Sequence, residues 1–140
     1  MNSDFCVGVH ALVYLSHKNC CLSSEELAEN ICTNRVRVRR VMGRLGKAGL
    51  VDTKSGSEGG YTIARKAEDI TLAEVADALD TRFVSSGWQS GNLDNECLVS
   101  SGMGPMMDSI LDELDEGCRA RLRQKTIGGL EGQIFHQADS

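Results

Sequence analysis

One segment, residues 35–47, constrains the fold more than any other part of the chain. Its apolar residues fall at positions i, i+3, i+4 and i+7 (Val38, Val41, Met42, Leu45), and this spacing places them along one face of an α-helix. The same segment contains six Lys/Arg residues and no Asp or Glu (Arg35, Arg37, Arg39, Arg40, Arg44, Lys47). The pattern predicts a helix with a buried stripe and a basic outer surface.

The residues before this segment predict a second helix joined to it by a short turn. Ser23 and Glu26 have the spacing of a capping box, which marks a helix start, and Leu27 and Ile31 supply its apolar side. Residues 32–34, Cys-Thr-Asn, form a turn in which Thr33 or Asn34 caps the basic helix. Two helices joined in this way are typical of a helix-turn-helix.

The residues after the basic helix predict a β-hairpin. Residues 50–54 and 61–64 are expected to be strands, and the glycine-rich residues 55–60 are expected to turn between them. The Gly59–Gly60 pair does not predict a phosphate loop, because neither Lys-Ser nor a helix follows it. A hairpin directly after a helix-turn-helix is a wing.

The second half of the chain predicts a helix that needs a partner. Residues 83–96 are rich in Gly, Ser and Asn, and the helix that follows carries one apolar stripe (Met107, Ile110, Leu111, Leu114, Cys118, Leu122) opposite an acidic face (Asp108, Asp112, Glu113, Asp115, Glu116). Pro105 leaves open whether this helix begins there or is kinked there. We expect the stripe to pair with that of a second copy.

The fold class expected is therefore mainly α with a small β-hairpin wing, that is, a winged helix-turn-helix plus a long C-terminal dimerisation helix. Three parts are expected: residues 1–82 as the winged helix-turn-helix, 83–103 as a flexible sensor loop, and 104–140 as the dimerisation helix and tail.

The charge of the chain is divided unevenly between its halves. Residues 1–66 carry ten Lys/Arg against six Asp/Glu, a net +4, and residues 67–140 carry five against fourteen, a net −9. Local potential governs the choice of a charged partner, so the basic helix favours double-stranded DNA. The alternative from another class is a winged-helix protein–protein interaction module that uses its acidic half.

Other function classes are disfavoured by what the sequence lacks. No apolar run approaches the roughly 18 residues of a membrane span, and the N-terminal Met-Asn-Ser-Asp lacks signal-peptide features. We therefore expect a cytoplasmic protein whose six cysteines are thiols, metal ligands or redox sensors. No nucleophile–base or carboxylate pair stands at a meaningful spacing, so we expect no enzyme, and no small-molecule substrate is evident.

Several short strings together resemble the Rrf2 family of bacterial winged helix-turn-helix regulators, in an IscR/NsrR-like branch. They are Leu-Ser-Ser-Glu-Glu-Leu-Ala at 22–28, Val-Arg-Arg-Val-Met at 38–42, Ala-Gly-Leu-Val at 48–51, Gly-Gly-Tyr at 59–61, Ala-Arg at 64–65 and Ile-Thr-Leu at 70–72. The resemblance covers about residues 1–127. It implies a homodimer, in most members a repressor, that binds inverted repeats in promoter DNA through the second helix of the motif and the wing.

The resemblance also implies which residues meet DNA. Base contacts are expected from the start of the basic helix (Asn34, Val36, Arg39, Arg40), since arginine can bond guanine O6 and N7 together. Phosphate contacts are expected from four other cations (Arg35, Arg37, Lys47, Lys54). Many members place an arginine at the wing tip, and the matching residue here is Ser55.

The cysteine pattern departs from that of the cluster-binding members. Those members have three cysteines in the loop before the dimer helix, whereas this chain has only Cys97 there. A [2Fe–2S] centre needs four ligands, so we expect no iron–sulfur cluster and no metal site, and a cluster-sensing regulator is the alternative reading. Cys32, in the turn, and Cys97, before the dimer helix, are instead the candidates for a redox-sensing thiol pair.

Overall fold

The computed structural model describes residues 3–138. Four residues lie outside this range. Met1 and Asn2 belong to the N-terminal segment in which no signal peptide is expected, and Asp139 and Ser140 belong to the expected tail. In chain order the elements are α1 (Asp4–Lys18), α2 (Ser24–Ile31), α3 (Arg35–Lys47), β1 (Val51–Lys54), β2 (Gly60–Ile63), a 3₁₀ turn (Ala67–Asp69), α4 (Leu72–Ala78), α5 (Leu98–Leu122) and α6 (Ile127–Ala138). The expected winged helix-turn-helix with a long C-terminal helix is confirmed.

The core lies where α1, α2, α3 and α4 meet. The predicted stripe of α3 is fully buried in it (Val38, Val41, Met42, Leu45), against Leu12 and Leu15 of α1 and Val75 of α4. The predicted capping box at Ser23–Glu26 is present, and a second capping box, Thr71–Glu74, begins α4. Local signals and buried contacts therefore agree in this part of the chain, which fixes how α3 is presented to solvent.

The wing is attached to the helical core by a backbone bridge. β1 and β2 pair antiparallel, with Val51 opposite Ile63, and Leu22 exchanges two backbone hydrogen bonds with Tyr61 on the other side of β2. A Cβ added at Gly60 would lie 2.3 Å from the carbonyl oxygen of Leu22. Gly60 is therefore glycine because the connection between α1 and α2 passes directly over it.

The helix α5 begins at Leu98, which corrects the expected boundary at residue 104. Pro105 lies inside the helix rather than at its first position. The loop before α5 packs on its first turns: Asn92 donates from its backbone N–H to the carbonyl of Ser100, and the side chain of Gln89 covers Gly104. These contacts stabilise the helical turns before the proline, so the second part of the expected sensor loop is helical.

Residues 83–97 contain no regular element, but they are anchored along α5. The carboxylate of Asp115 accepts hydrogen bonds from the backbone N–H of Phe83 and of Val84. Asp115 is buried, in contrast to the expectation that it faces solvent with the other acidic residues of α5. Burial alone would raise the pKa of Asp115, but these two bonds and Arg119 outweigh it and keep the pKa below its usual value.

The segment expected to be a tail contains the helix α6, which packs on α1. Ile127 is fully buried and donates a backbone hydrogen bond to Ile70. A Cβ at Gly128 would lie 2.9 Å from the backbone nitrogen of Glu68, so the glycine permits a close approach to the 3₁₀ turn. The C-terminal part of the chain therefore returns to the winged-helix core.

Candidate DNA-binding surface

The turn before α3 holds that helix in a fixed direction. Asn34 is its N-cap, and the Asn34 side chain accepts a hydrogen bond from the backbone N–H of Arg37 at 2.8 Å. Cys32 ends α2 in the left-handed conformation, with φ of 65°, which non-glycine residues adopt uncommonly. Asn34 is thus placed by the structure as a helix cap at the exposed start of α3.

The outward face of α3 lies opposite its buried stripe. At 3.6 residues per turn, this face consists of Val36, Arg39, Arg40, Gly43 and Lys47, all of them exposed. Val36 is 71% exposed although it is apolar. This face, together with the wing, is called the basic face below, and it contains three of the four residues expected to contact bases.

One buried carboxylate holds Arg40 of the basic face and its neighbour Arg37. Asp4, at the start of α1, accepts hydrogen bonds from Arg37 Nε at 2.9 Å and from an Arg40 terminal nitrogen at 3.0 and 3.1 Å. The Asp4 side chain is 6% exposed, against 27% for Arg37 and 56% for Arg40. Burial would raise the pKa of Asp4, but the two arginines outweigh it and lower the pKa. Sequence reasoning missed this clamp, because its members are more than 30 residues apart.

The remaining predicted cations differ in their partners. Arg35 forms an exposed ion pair with Glu25 of α2. Arg39 of α3 reaches a groove of about 530 Å³ between the start of α2 and the wing, which is also lined by Lys54 and by three glutamates (Glu25, Glu26, Glu58). Lys47, Lys54 and Ser55 are exposed. The structure therefore brings Arg39 and Lys54 together at one groove, while Arg37 and Arg40 lie on the α1 side of the helix.

Gly43 is a residue of the basic face that sequence reasoning did not identify. A Cβ added there would meet no atom within 4 Å, so packing within the chain does not require glycine. Glycine inside a helix costs roughly 0.5–1 kcal/mol relative to alanine. The missing side chain leaves the helix backbone open to close approach from outside, next to Arg39 and Arg40.

The two candidate sensor thiols are both exposed. Cys32 lies in the turn before α3, and Cys97 is the N-cap residue of α5. The backbone amides of Ser100 and Val99 lower the pKa of the Cys97 thiol, as expected at a helix N-terminus. Both sulfurs are therefore accessible to an oxidant.

The donor set of this chain does not fit an iron–sulfur cluster. Cys97 is the only cysteine between residues 33 and 117. Within residues 3–138, no group of three or more His, Cys, Asp or Glu side chains is placed to hold a metal ion. A cluster needs four ligands that converge on it, and the segment before α5 supplies one cysteine, Cys97.

An apolar stripe along α5 is exposed. It consists of Val99, Met103, Met106, Met107, Ile110 and Leu114, which are between 37% and 69% exposed. Apart from the adjacent pair Met106 and Met107, neighbouring members are three or four residues apart, the spacing of helices that pack side by side. The stripe starts nearer the N-terminus than sequence reasoning placed it, since α5 itself begins earlier.

Among the described residues, no helix is long and apolar enough to cross a membrane.

Comparison with known proteins places this arrangement in one family. The Rrf2 family model, described as an iron-dependent transcriptional regulator, matches residues 1–131. YwnA of Bacillus subtilis, named as an HTH-type transcriptional regulator, is 25% identical over 137 residues, covering 96% of this chain and 99% of YwnA. A Lactobacillus plantarum structure described as a transcriptional regulator superposes with a TM-score of 0.82 at 25% identity, covering 97% of this chain and 92% of that one.

A third similarity supports the fold alone. The oxidised form of Staphylococcus aureus CymR superposes with a TM-score of 0.66 at 20% identity, covering 93% of this chain and 94% of CymR. The match over residues 1–131, together with the winged helix-turn-helix, shows that this chain belongs to the Rrf2 family of transcriptional regulators.

Proposed function

We propose that this protein is a sequence-specific DNA-binding repressor, not an enzyme, that acts as a homodimer in the cytoplasm. The observation that carries the proposal is the basic face, where the exposed cations of α3 lie beside the wing and Arg39 of α3 and Lys54 of the wing reach one groove. A helix of this kind enters the major groove with its N-terminal residues toward the bases. Occupation of a promoter by such a dimer excludes other proteins from it.

Within this proposal the cations of α3 have different tasks. Arg39 is exposed and points toward the wing groove, so it is the strongest candidate for a bidentate contact to guanine, beside Val36 and Asn34. Arg40 already donates to Asp4, so its contact to a base requires its free donors or an exchange of partners. Arg35, Arg37, Lys47 and Lys54 are assigned to phosphates, which position the helix without reading sequence, and Ser55 is assigned to the same backbone.

The homodimer is proposed to form through the apolar stripe of α5. An exposed apolar surface of this length marks an interface, and two-fold dimers are the commonest homo-oligomers. A two-fold dimer presents two copies of α3, so the target DNA would be an inverted repeat with half-sites about 34 Å apart or a multiple of this.

The test of DNA recognition is selection of bound duplexes from a random pool by the purified protein. We expect enrichment of an inverted repeat with that spacing. A pool that remains random after several rounds would refute sequence-specific binding and favour the protein–protein interaction module. The Val36→Glu variant, which places a carboxylate on the basic face, serves as the negative control.

We further propose that Cys32 and Cys97 make the repressor respond to oxidants. The two thiols would lose two protons and two electrons to a peroxide and form one disulfide between subunits. Cys97 is the thiol that attacks first, because its lowered pKa favours the thiolate at neutral pH. A bond to Cys32 would tie the turn before α3 to the dimer helix and change the distance between the two reading helices. No cofactor is required.

The test of this switch is a non-reducing gel after mild peroxide treatment, with DNA binding measured in parallel. Wild type should give a crosslinked dimer, and both Cys32→Ser and Cys97→Ser should remain uncrosslinked. Cys20→Ser, which changes an exposed cysteine outside the pair, is the matched control and should crosslink like wild type. A crosslink that persists in Cys32→Ser and Cys97→Ser would refute this pairing. Visible absorbance typical of an iron–sulfur protein would refute the absence of a cluster.

A further inference from the structure

One charged cluster joins the start of α1 to the basic helix α3, and it is called the Asp4 clamp. It consists of Asp4, Arg37 and Arg40. Asp4 lies in the first turn of α1, where a helix N-terminus stabilises a negative charge. The next residue, Phe5, packs edge-on against Phe83 with the ring centroids 5.1 Å apart. The carboxylate therefore has a fixed position beside α3.

The hydrogen bonds from Arg40 to Asp4 come from one nitrogen of the guanidinium. Nη2 of Arg40 donates to both carboxylate oxygens of Asp4, at 3.0 and 3.1 Å. A guanidinium is planar and rigid and carries further N–H groups on Nε and Nη1. Because the Arg40 side chain is 56% exposed, an acceptor outside the protein can reach those groups. Arg40 is therefore held at one nitrogen and open to a partner at the others.

The neighbouring arginine of the basic face, Arg39, has no such support. Arg39 is exposed, and none of the ion pairs within residues 3–138 includes it. A long side chain without a partner loses rotamer freedom when it binds, and until then it can also swing toward a phosphate. The two arginines therefore approach DNA differently, Arg39 as a flexible arm and Arg40 as a group held in one direction.

The Asp4 clamp also lowers the positive charge beside the basic face. Its two guanidiniums and one carboxylate sum to a single positive charge, whereas the two arginines without Asp4 would carry two. Affinity for DNA of any sequence rises with the number of cations that replace counterions at phosphates, so the carboxylate reduces it. A group that lowers general affinity and orients one arginine favours discrimination between sequences.

From these observations we propose that Asp4 is a positioning residue for sequence recognition, which holds Arg40 so that its remaining N–H groups face one guanine in each half-site. Guanine presents two acceptors, N7 and O6, in the major groove, whereas adenine and cytosine present an amino donor there. Arginine has donors only, so Arg40 held in this direction rejects a base that offers a donor. The inference rests on the proposed function, because it concerns how the same surface selects its target.

The test compares wild type with Asp4→Asn, which keeps the size of the side chain and removes its charge. Wild type first selects duplexes from a random pool. The Kd of each full-length protein is then measured on the selected duplex, on duplexes in which each guanine of the half-site is replaced in turn, and on a scrambled duplex. Arg39→Ala and Arg40→Ala, measured in the same way, identify the guanine that each arginine reads, since the penalty for replacing that guanine disappears.

For wild type, replacement of the guanine read by Arg40 should weaken binding at least about fivefold. In Asp4→Asn this penalty should fall below about twofold, because Arg40 is no longer held toward the base. The penalty at the guanine read by Arg39 should stay as in wild type, which makes Arg39 the internal control. The scrambled duplex should be bound at least as tightly as by wild type, since the surface gains one positive charge.

Two outcomes would overturn the role of Asp4. The first is an unchanged penalty at the guanine read by Arg40. The second is weaker binding of Asp4→Asn to every duplex with both penalties reduced, which is the pattern of a purely structural residue. Added to Arg40→Ala, Asp4→Asn should not change the penalties further, and a further loss would show that Asp4 acts through another group. Failure of wild type to select any sequence would instead refute the proposed function, and this inference with it.

A measurement on wild type covers the case in which Asp4→Asn does not fold. Rotation about the Nε–Cζ bond exchanges Nη1 and Nη2, so nitrogen-15 NMR resolves them only where a bound partner slows this rotation. We expect separate Nη1 and Nη2 signals for Arg40, assigned with Arg40→Lys, in the free protein and in the complex with the selected duplex. Arg39 should give one averaged signal in the free protein. An averaged Arg40 signal in either state would show that Asp4 does not hold it and would overturn the proposal.

Discussion

Replacement of Asp4 by alanine should destabilise the fold far more than loss of an ordinary surface carboxylate. Asp4 is almost fully buried and accepts three hydrogen bonds from Arg37 and Arg40. A hydrogen bond that involves a charged group contributes about 1.5–3 kcal/mol, whereas an exposed ion pair contributes about 0–1 kcal/mol. Arg37 is mostly covered and Arg40 is more than half exposed. We therefore take about 1.5 kcal/mol for the bond from Arg37 and about 0.5 kcal/mol for the pair with Arg40. The expected cost is about 2 kcal/mol.

The assay is thermal unfolding at one fixed protein concentration, because dimer formation makes the midpoint depend on concentration. For a domain of this size, about 2 kcal/mol corresponds to a fall in Tm of roughly 6–8 °C. The matched control is Glu25→Ala, which breaks another ion pair to the same helix, that with Arg35, at an exposed site. It should lower Tm by less than about 3 °C. Equal effects of the two variants would refute the clamp.

The pH dependence gives an independent check on the same residue. The folded-state pKa of Asp4 is lowered, so its contribution is present above the unfolded pKa of about 3.9 and is lost as the pH falls through the folded pKa. The difference in stability between wild type and Asp4→Ala should therefore be constant from about pH 8 to pH 5 and shrink below about pH 4. A difference that grows as the pH falls would contradict the sign of this argument.

Three further predictions concern other parts of the molecule. Gly60→Ala should destabilise the fold by more than about 2 kcal/mol in chemical unfolding, because its Cβ would overlap a backbone carbonyl. Gly43→Ala should instead stabilise the fold by up to about 1 kcal/mol and still weaken DNA binding. The reverse order of stability would contradict the assignment of both glycines. Leu114→Asp, at the C-terminal end of the α5 stripe, should give a monomer in analytical ultracentrifugation, while Glu113→Ala should remain a dimer. Alkylation of Cys97 should reach half its maximal rate at a lower pH in the folded protein than in urea, and coincident profiles would count against a helix-terminal thiolate.

The parts of the fold that follow from local signals were predictable from the sequence. The α3 stripe is a single periodic pattern whose members are all buried, and the two capping boxes are short motifs with a fixed geometry. The turn at Gly59–Gly60 is marked by two glycines at positions where an added Cβ would overlap neighbouring backbone atoms. In each case the physical cause lies within a few residues of its effect.

The parts that depend on distant contacts were not predictable. The helix α6 contains Gly128, Gly129 and Gly132, which lower helix propensity, and it forms because Ile127 is buried against the core. The start of α5 was placed too late because Pro105 usually limits a helix, and packing of the preceding loop overrides it. The Asp4 clamp joins residues of α1 and α3, so no local sequence pattern predicts it. It also occupies a donor of Arg40 that would otherwise be available to DNA.

The role of α3 as the DNA-reading helix is tested most directly by titrating wild type and Arg39→Ala with the selected duplex and with a scrambled duplex over a range of salt concentrations. Arg39→Ala should lose about 1–3 kcal/mol on the selected duplex and little on the scrambled one, and Arg40→Ala should lose about 1–3 kcal/mol on the selected duplex as well. Lys54→Ala should weaken both duplexes alike and reduce the salt slope by about one. If the double variant Arg39→Ala/Arg40→Ala bound the selected duplex as tightly as wild type, α3 would not be the reading helix and the central claim would be wrong.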